Sequence, residues 1–157
     1  MKYPLNELSS VEFENVVASI CEEILGTGTM VFSEGKDGGR DAKFTGKANC
    51  FPSKASPWNG RIIIQAKHTV KMGASCSESD FSTTLKKEVS SIKALKDTEK
   101  LDYYLIFTNR KLSGVQDPKI EDFITDELDV ENVVIGEERI QKWLQDYPSI
   151  VKKNNLS

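Results

Sequence analysis

A chain of 157 residues with 38% hydrophobic and 29% charged side chains has the length of one domain and enough apolar content for one core, which excludes a disordered tail or a fibrous repeat. A net charge of −3 and a pI near 5.3 are unlike a free-standing DNA-binding domain, whose balance is usually basic, though an acidic metal cluster or delivery of substrate by another domain is compatible with that total. Cys21, Cys50 and Cys76 form no CxxC pair and make a poor disulfide framework, and the single histidine, His68, leaves little for a Cys/His zinc site or a Ser-His-Asp triad.

Taken in chain order, Ser9-Ser10-Val11-Glu12 has the capping-box form, which predicts a helix from Ser9 or Ser10 to about Leu25, ended by Gly26 and Gly28. Phe13, Val16, Val17, Ile20 and Ile24 form its apolar stripe, with Glu14 at the stripe's edge and Glu22 on the solvated side. Thr29 to Ser33 reads as a short strand, Glu34 to Gly39 as a turn, and Arg40 to Thr45 as the second arm of a hairpin. Gly46 to Gly60, with Pro52, Pro57 and Trp58, reads as a long excursion, mobile or facing substrate. Arg61 to His68 is a strand whose alternation sets Ile62, Ile64 and Ala66 on one face and Ile63, Gln65 and Lys67 on the other.

Ser77 to Asp80 caps a helix running through Leu95, with Phe81, Leu85, Val89, Ile92 and Leu95 on its apolar side and lysines outside. Tyr103 to Thr108 is a nearly continuous apolar strand, as for one buried on both faces, and Asn109 to Pro118 a loop. Lys119 to Leu128 is then a helix, Asn132 to Ile135 a strand and Glu137 to Leu144 a closing helix before Pro148, giving the order αβββαβαβα. The tail Lys152-Lys153-Asn154-Asn155 is polar enough to fray or lead onward. The longest apolar run, around Ile62 to Ile64, is about four residues against the roughly 20 a membrane span needs, and the N-terminus lacks a secretory apolar stretch. A cytoplasmic chain with no membrane contact is the expectation.

Phosphodiester hydrolysis with a divalent metal needs oxygen ligands and a cation that steers the water or stabilises developing charge. Asp41, Gln65 and Lys67 supply that set: Asp41 opens one strand, Gln65 and Lys67 share a face of the next, and a hairpin pairing brings the three together. The backbone carbonyl of Ala66 can add a further oxygen.

Asp37-Gly38-Gly39-Arg40-Asp41, then Ile62-Ile63-Ile64-Gln65-Ala66-Lys67, preceded by a helix carrying Phe13-Glu14, resembles the Mrr-like restriction endonucleases of the PD-(D/E)xK nuclease superfamily. The resemblance runs over residues 8–112 and includes the strand Tyr104-Leu105-Ile106-Phe107-Thr108-Asn109. It implies an α/β restriction-endonuclease-like fold, a central mixed β-sheet flanked by helices. It also implies a Mg²⁺-dependent DNA endonuclease, with Mn²⁺ able to substitute, in which Asp41, Gln65 and Lys67 are catalytic and Glu14 assists the metal, directly or through water. Two features depart from the wider class: the segment between Asp41 and Gln65 is long, and Gln65 stands where many members carry glutamate, though glutamine is usual in the Mrr-like branch. The implied context is prokaryotic antiviral defence, with double-stranded DNA as substrate. Residues 1–157 then form one nuclease domain, the N-terminal effector of a longer protein with a fused sensor or NTPase domain, acting as a homo-oligomer.

Each feature also has a plainer reading. DGG alone is a turn, QxK alone a solvated strand edge, and Asp37 an Asx-turn residue rather than a second ligand. Alternation turns His68 away from Lys67, toward packing or the surface. Trp58, Arg61 and Lys86 are candidates for nucleic-acid contact, against a hydrophobic plug for Trp58 and a solvated face for Lys86, Lys87, Lys93 and Lys96. The alternative to cleavage is a nuclease-like module that binds nucleic acid or a partner.

Overall fold

Ser9 starts the first helix through a closed capping box: its hydroxyl accepts from the Glu12 N–H at 3.1 Å, and the Ser9 N–H donates to the Glu12 carboxylate at 2.8 Å. The computed structural model describes residues 2–28, 32–34 and 40–156. In it α1 spans Ser10–Ile24 and buries Phe13, Val16, Val17 and Ile20 completely, along the stripe read from the sequence.

The strands β1 (Ser33–Glu34), β2 (Arg40–Lys47), β3 (Asn59–Lys67), β4 (Tyr103–Thr108) and β5 (Glu131–Ile135) form one mixed sheet in that order. The first two pairings are antiparallel and the last two parallel. Parallel neighbours need crossovers, supplied by α2 (Ser79–Lys96) between β3 and β4 and by α3 (Gln116–Leu128) between β4 and β5. The chain is therefore α/β with a mixed sheet flanked by helices, in the order predicted, with α4 (Glu137–Asp146) followed by a short α5 (Pro148–Lys153). The arms of the expected hairpin pair through Ser33 opposite Asp41, while residues 29–31 and 35–39, including Asp37 and the two glycines of the motif, lie outside the described residues.

Alternation along the strands divides the interior into two cores. Ile62, Ile64 and Phe107 face α1, α4 and α5; Ile63, Tyr104 and Ile106 face α2 and α3. Among the described residues, no helix is long and apolar enough to cross a membrane.

Three sequence expectations are corrected. The segment read as a mobile excursion is a packed one: β2 continues to Lys47, β3 begins at Asn59, and the intervening chain buries Phe51 and Trp58. Trp58 stacks on Tyr103 with centroids 4.5 Å apart and gives its indole N–H to Glu131 at 2.9 Å. Gly60 follows with φ +156°, where a Cβ would meet the Asp102 carboxylate at 2.5 Å; that carboxylate accepts the Arg61 N–H. Next, α3 begins three residues early, because Pro118 sits in its first turn, where a missing N–H costs nothing. Finally, the tail does not fray: α5 buries Ile150, Lys153 pairs with Glu22 at 3.4 Å, and Asn154 donates to Ser19 of α1 at 3.2 Å.

Candidate functional site

The β2–β3 register sets Asp41 directly opposite Gln65, so both side chains rise from the same face of the sheet. Lys67, two residues on, shares that face. Asp41, Gln65 and Lys67 thus come together at the carboxyl end of β3, on the side covered by α2. The end is held firmly: the Thr69 N–H donates to the Asn109 side chain at 2.9 Å, and the Asn109 amide returns a bond to the Thr69 carbonyl at 2.8 Å. In open α/β sheets the carboxyl ends of parallel strands are where ligands commonly bind.

A fourth side chain completes the group. Glu88 of α2 receives the Lys67 ammonium at 2.7 Å on one oxygen and the Gln65 amide N–H at 3.0 Å on the other. The Gln65 carbonyl in turn accepts from the buried Tyr104 hydroxyl. Gln65 is only 3% exposed, and the Glu88 side chain 14%. Sequence reasoning missed Glu88, although Phe81, Leu85, Glu88, Ile92 and Leu95 follow a 4-3-4-3 spacing that puts a carboxylate on the apolar stripe of α2. Burying an ion pair there costs desolvation, and an apolar residue would stabilise the helix contact at least as well. A buried ion pair set among polar partners in this way marks a candidate functional site.

Electrostatics tie the members together. Burial pushes the Asp41 carboxyl above the usual range; nearby Glu88 and Glu99 add to the rise, and Lys43 and Lys67 oppose it. Burial likewise raises the Tyr104 phenol, with the charges of Glu88 and Asp41 contributing. A metal ion would find two carboxylates here, Asp41 and Glu88, with the Ala66 carbonyl as a neutral oxygen. Among the described residues no three His, Cys, Asp or Glu side chains converge. Two carboxylates suffice for Mg²⁺, which keeps several of its waters and is usually held by one or two of them, so this donor set fits.

The other sequence candidates fall elsewhere. Glu14 is buried at 6% exposure, on α1, whose packing is against the opposite face of the sheet from Gln65 and Lys67. His68 turns to that same opposite face, as alternation requires, and its Nε2 donates to the Leu5 carbonyl at 2.8 Å. Trp58 is corrected as a nucleic-acid contact: at 3% exposure, stacked on Tyr103, its ring is closed to a base. Arg61 is partly exposed and pairs with Glu99 at 2.6 Å. Lys86 and Lys87 are exposed, whereas Lys93 pairs with Glu127 and Lys96 donates to the Leu128 carbonyl, so half of the predicted basic helix side is engaged within the chain. A cleft of about 390 Å³ opens at the far end of the sheet, lined by Trp58, Glu121, Asp122 and Glu131; its acidic rim would repel a phosphate backbone.

Comparison with protein-family models, curated proteins and solved structures returns no match to this chain.

Proposed function

We propose that this chain is a metal-dependent endonuclease domain of restriction-endonuclease-like fold, hydrolysing phosphodiester bonds of DNA. The observation that carries the reading is the meeting of Asp41, Gln65, Lys67 and Glu88 on one face at the carboxyl end of β3. Carboxylates beside a lysine, half-shielded from water, are the groups that such a hydrolysis requires. The sequence resemblance to Mrr-like nucleases supports the same reading with the same residues.

In this reading Asp41 and its neighbouring oxygens hold Mg²⁺, with Mn²⁺ as a substitute. When bound, the ion would polarise the phosphate and lower the pKa of a coordinated water. Lys67, released from Glu88, orients the attacking water or stabilises the negative charge that builds on the phosphate. Arg61 and Lys86 contact the phosphate backbone, through charge that carries no sequence information. Double-stranded DNA is the proposed substrate, presented by a further domain or by a second copy of the chain, because a net charge of −3 gives little steering of its own.

Supercoiled plasmid incubated with the protein and Mg²⁺ or Mn²⁺, beside Asp41→Ala and Lys67→Ala, tests the proposal. Nicking or linearisation lost in both variants is expected; cleavage that survives either change removes that residue from the mechanism. A second reading, a nuclease-like module that binds without cutting, draws on the engagement of Lys67 by Glu88. Under it the protein retains DNA but leaves plasmid intact with either metal.

A further inference from the structure

We infer that Glu88 supplies the second carboxylate of the metal site, and that Gln65 is a positioning residue that orients Glu88 instead of ligating the metal through its own oxygen. The inference rests on the nuclease reading above and assigns roles within its centre.

The argument begins with which way the Gln65 amide points. The oxygen and nitrogen of a glutamine are normally assigned from their partners, and here both partners agree. An ionised Glu88 has no proton to give, so the amide end at 3.0 Å from its Oε2 is the NH₂ group. Tyr104, at the other end, has a hydroxyl proton to donate, and Gln65 Oε1 accepts it. Turning the amide over would set its oxygen against a carboxylate. The Gln65 oxygen is therefore directed at a fully buried tyrosine, and the group it presents to the centre is a donor. A metal ion requires acceptors.

Glu88 has the complementary properties. Its two oxygens accept one bond from Gln65 and one from Lys67, which leaves lone pairs on both. Asp41 stands opposite Gln65 in the β2–β3 ladder, on the face Glu88 covers. The chain Tyr104–Gln65–Glu88 fixes the carboxylate from behind, as partners around metal ligands generally do. A carboxylate placed from a helix also accounts for a neutral residue standing at 65, where many members of the superfamily that the sequence resembles carry glutamate: the charge is supplied from α2.

Mn²⁺ binding followed by calorimetry, on the wild type, Glu88→Gln, Gln65→Glu and Tyr104→Phe, separates the roles, with melting curves in EDTA to confirm folding. Glu88→Gln should weaken Mn²⁺ affinity about tenfold or more, on the scale of a lost ligand or its support. Gln65→Glu should weaken it too, because it removes the N–H and sets like charges together. Tyr104→Phe should weaken it less than either. The double exchange E88Q/Q65E, which restores an amide–carboxylate pair, should recover part of the loss. If Gln65 is itself the ligand, Gln65→Glu tightens Mn²⁺ and Glu88→Gln leaves it unchanged, and that pattern overturns the inference while sparing the nuclease reading. Mn²⁺ binding absent from the wild type overturns both.

Discussion

The two faces of β3 carry different burdens within nine residues. On the α1 side, Ile62 and Ile64 are fully buried among Phe13, Val16 and Phe107, and side chains there do nothing but fill space. On the α2 side, Ile63 begins the same way, but Gln65 and Lys67 replace aliphatic packing with a hydrogen-bonded, charged group facing Glu88. A strand alternates strictly, so core and centre share one backbone without sharing a side chain. A slip of one residue in register would exchange them, sending Lys67 into the apolar core. The packed α1 face thus fixes the geometry of the polar one.

That division can be broken from either side. The largest effect is expected for Lys67→Ala and Asp41→Ala, which should lower plasmid cleavage by about 10²- to 10⁴-fold, the usual scale for a positioned acid–base group, in protein that still folds cooperatively. On the opposite face, Ile64→Ala should cost about 2–5 kcal/mol in denaturant unfolding through the cavity it leaves, while the fraction that stays folded cuts as before. Loss of cleavage in folded Ile64→Ala would show that the two faces are not separable.

A subtler test uses pH. The folded-state pKa of Asp41 is raised, so between the ordinary carboxylate range and that raised value the unfolded chain is the more ionised state and binds fewer protons. The contribution of Asp41 to stability therefore falls as pH rises through that window. Asp41→Asn, measured by chemical denaturation in EDTA, should remove that decline and be more stable than wild type at neutral pH, although inactive. An unchanged pH profile would mean that the carboxyl carries no burial penalty. The smallest effect is expected for Lys86→Ala, which should weaken DNA binding evenly across sequences and reduce the log–log salt slope by about one.

Much of this was readable from residues alone, for definite reasons. The capping box at Ser9 and Glu12 is a local signal, and so is the alternation of Ile62 to Lys67. Together with the antiparallel pairing they brought Asp41 and Gln65 face to face. Glu88 was hidden because a lysine-rich helix reads as solvated, and the spacing that betrays it is a carboxylate in an apolar series, visible only when polar interruptions are asked about. Trp58 was ambiguous because proline-rich composition marks a loop but says nothing of whether that loop packs; its partners Tyr103 and Glu131 lie over forty residues away. Pro118 misplaced the start of α3 because proline ends a helix interior yet suits a first turn.

The N-terminal segment has a consequence for the order in which the chain is assembled. The backbone of Tyr3 exchanges two hydrogen bonds with the Gln141 side chain, at 2.9 and 2.8 Å, and the Leu5 carbonyl receives His68, the neighbour of Lys67. The segment around Tyr3 can therefore settle only once α4 is in place. The support that this segment gives the end of β3 through Leu5 and His68 thus depends on a contact between residues 138 apart in the chain. For a chain whose proposed work is to cut DNA, so non-local a contact ties the end of β3, where the proposed centre sits, to the completeness of the fold.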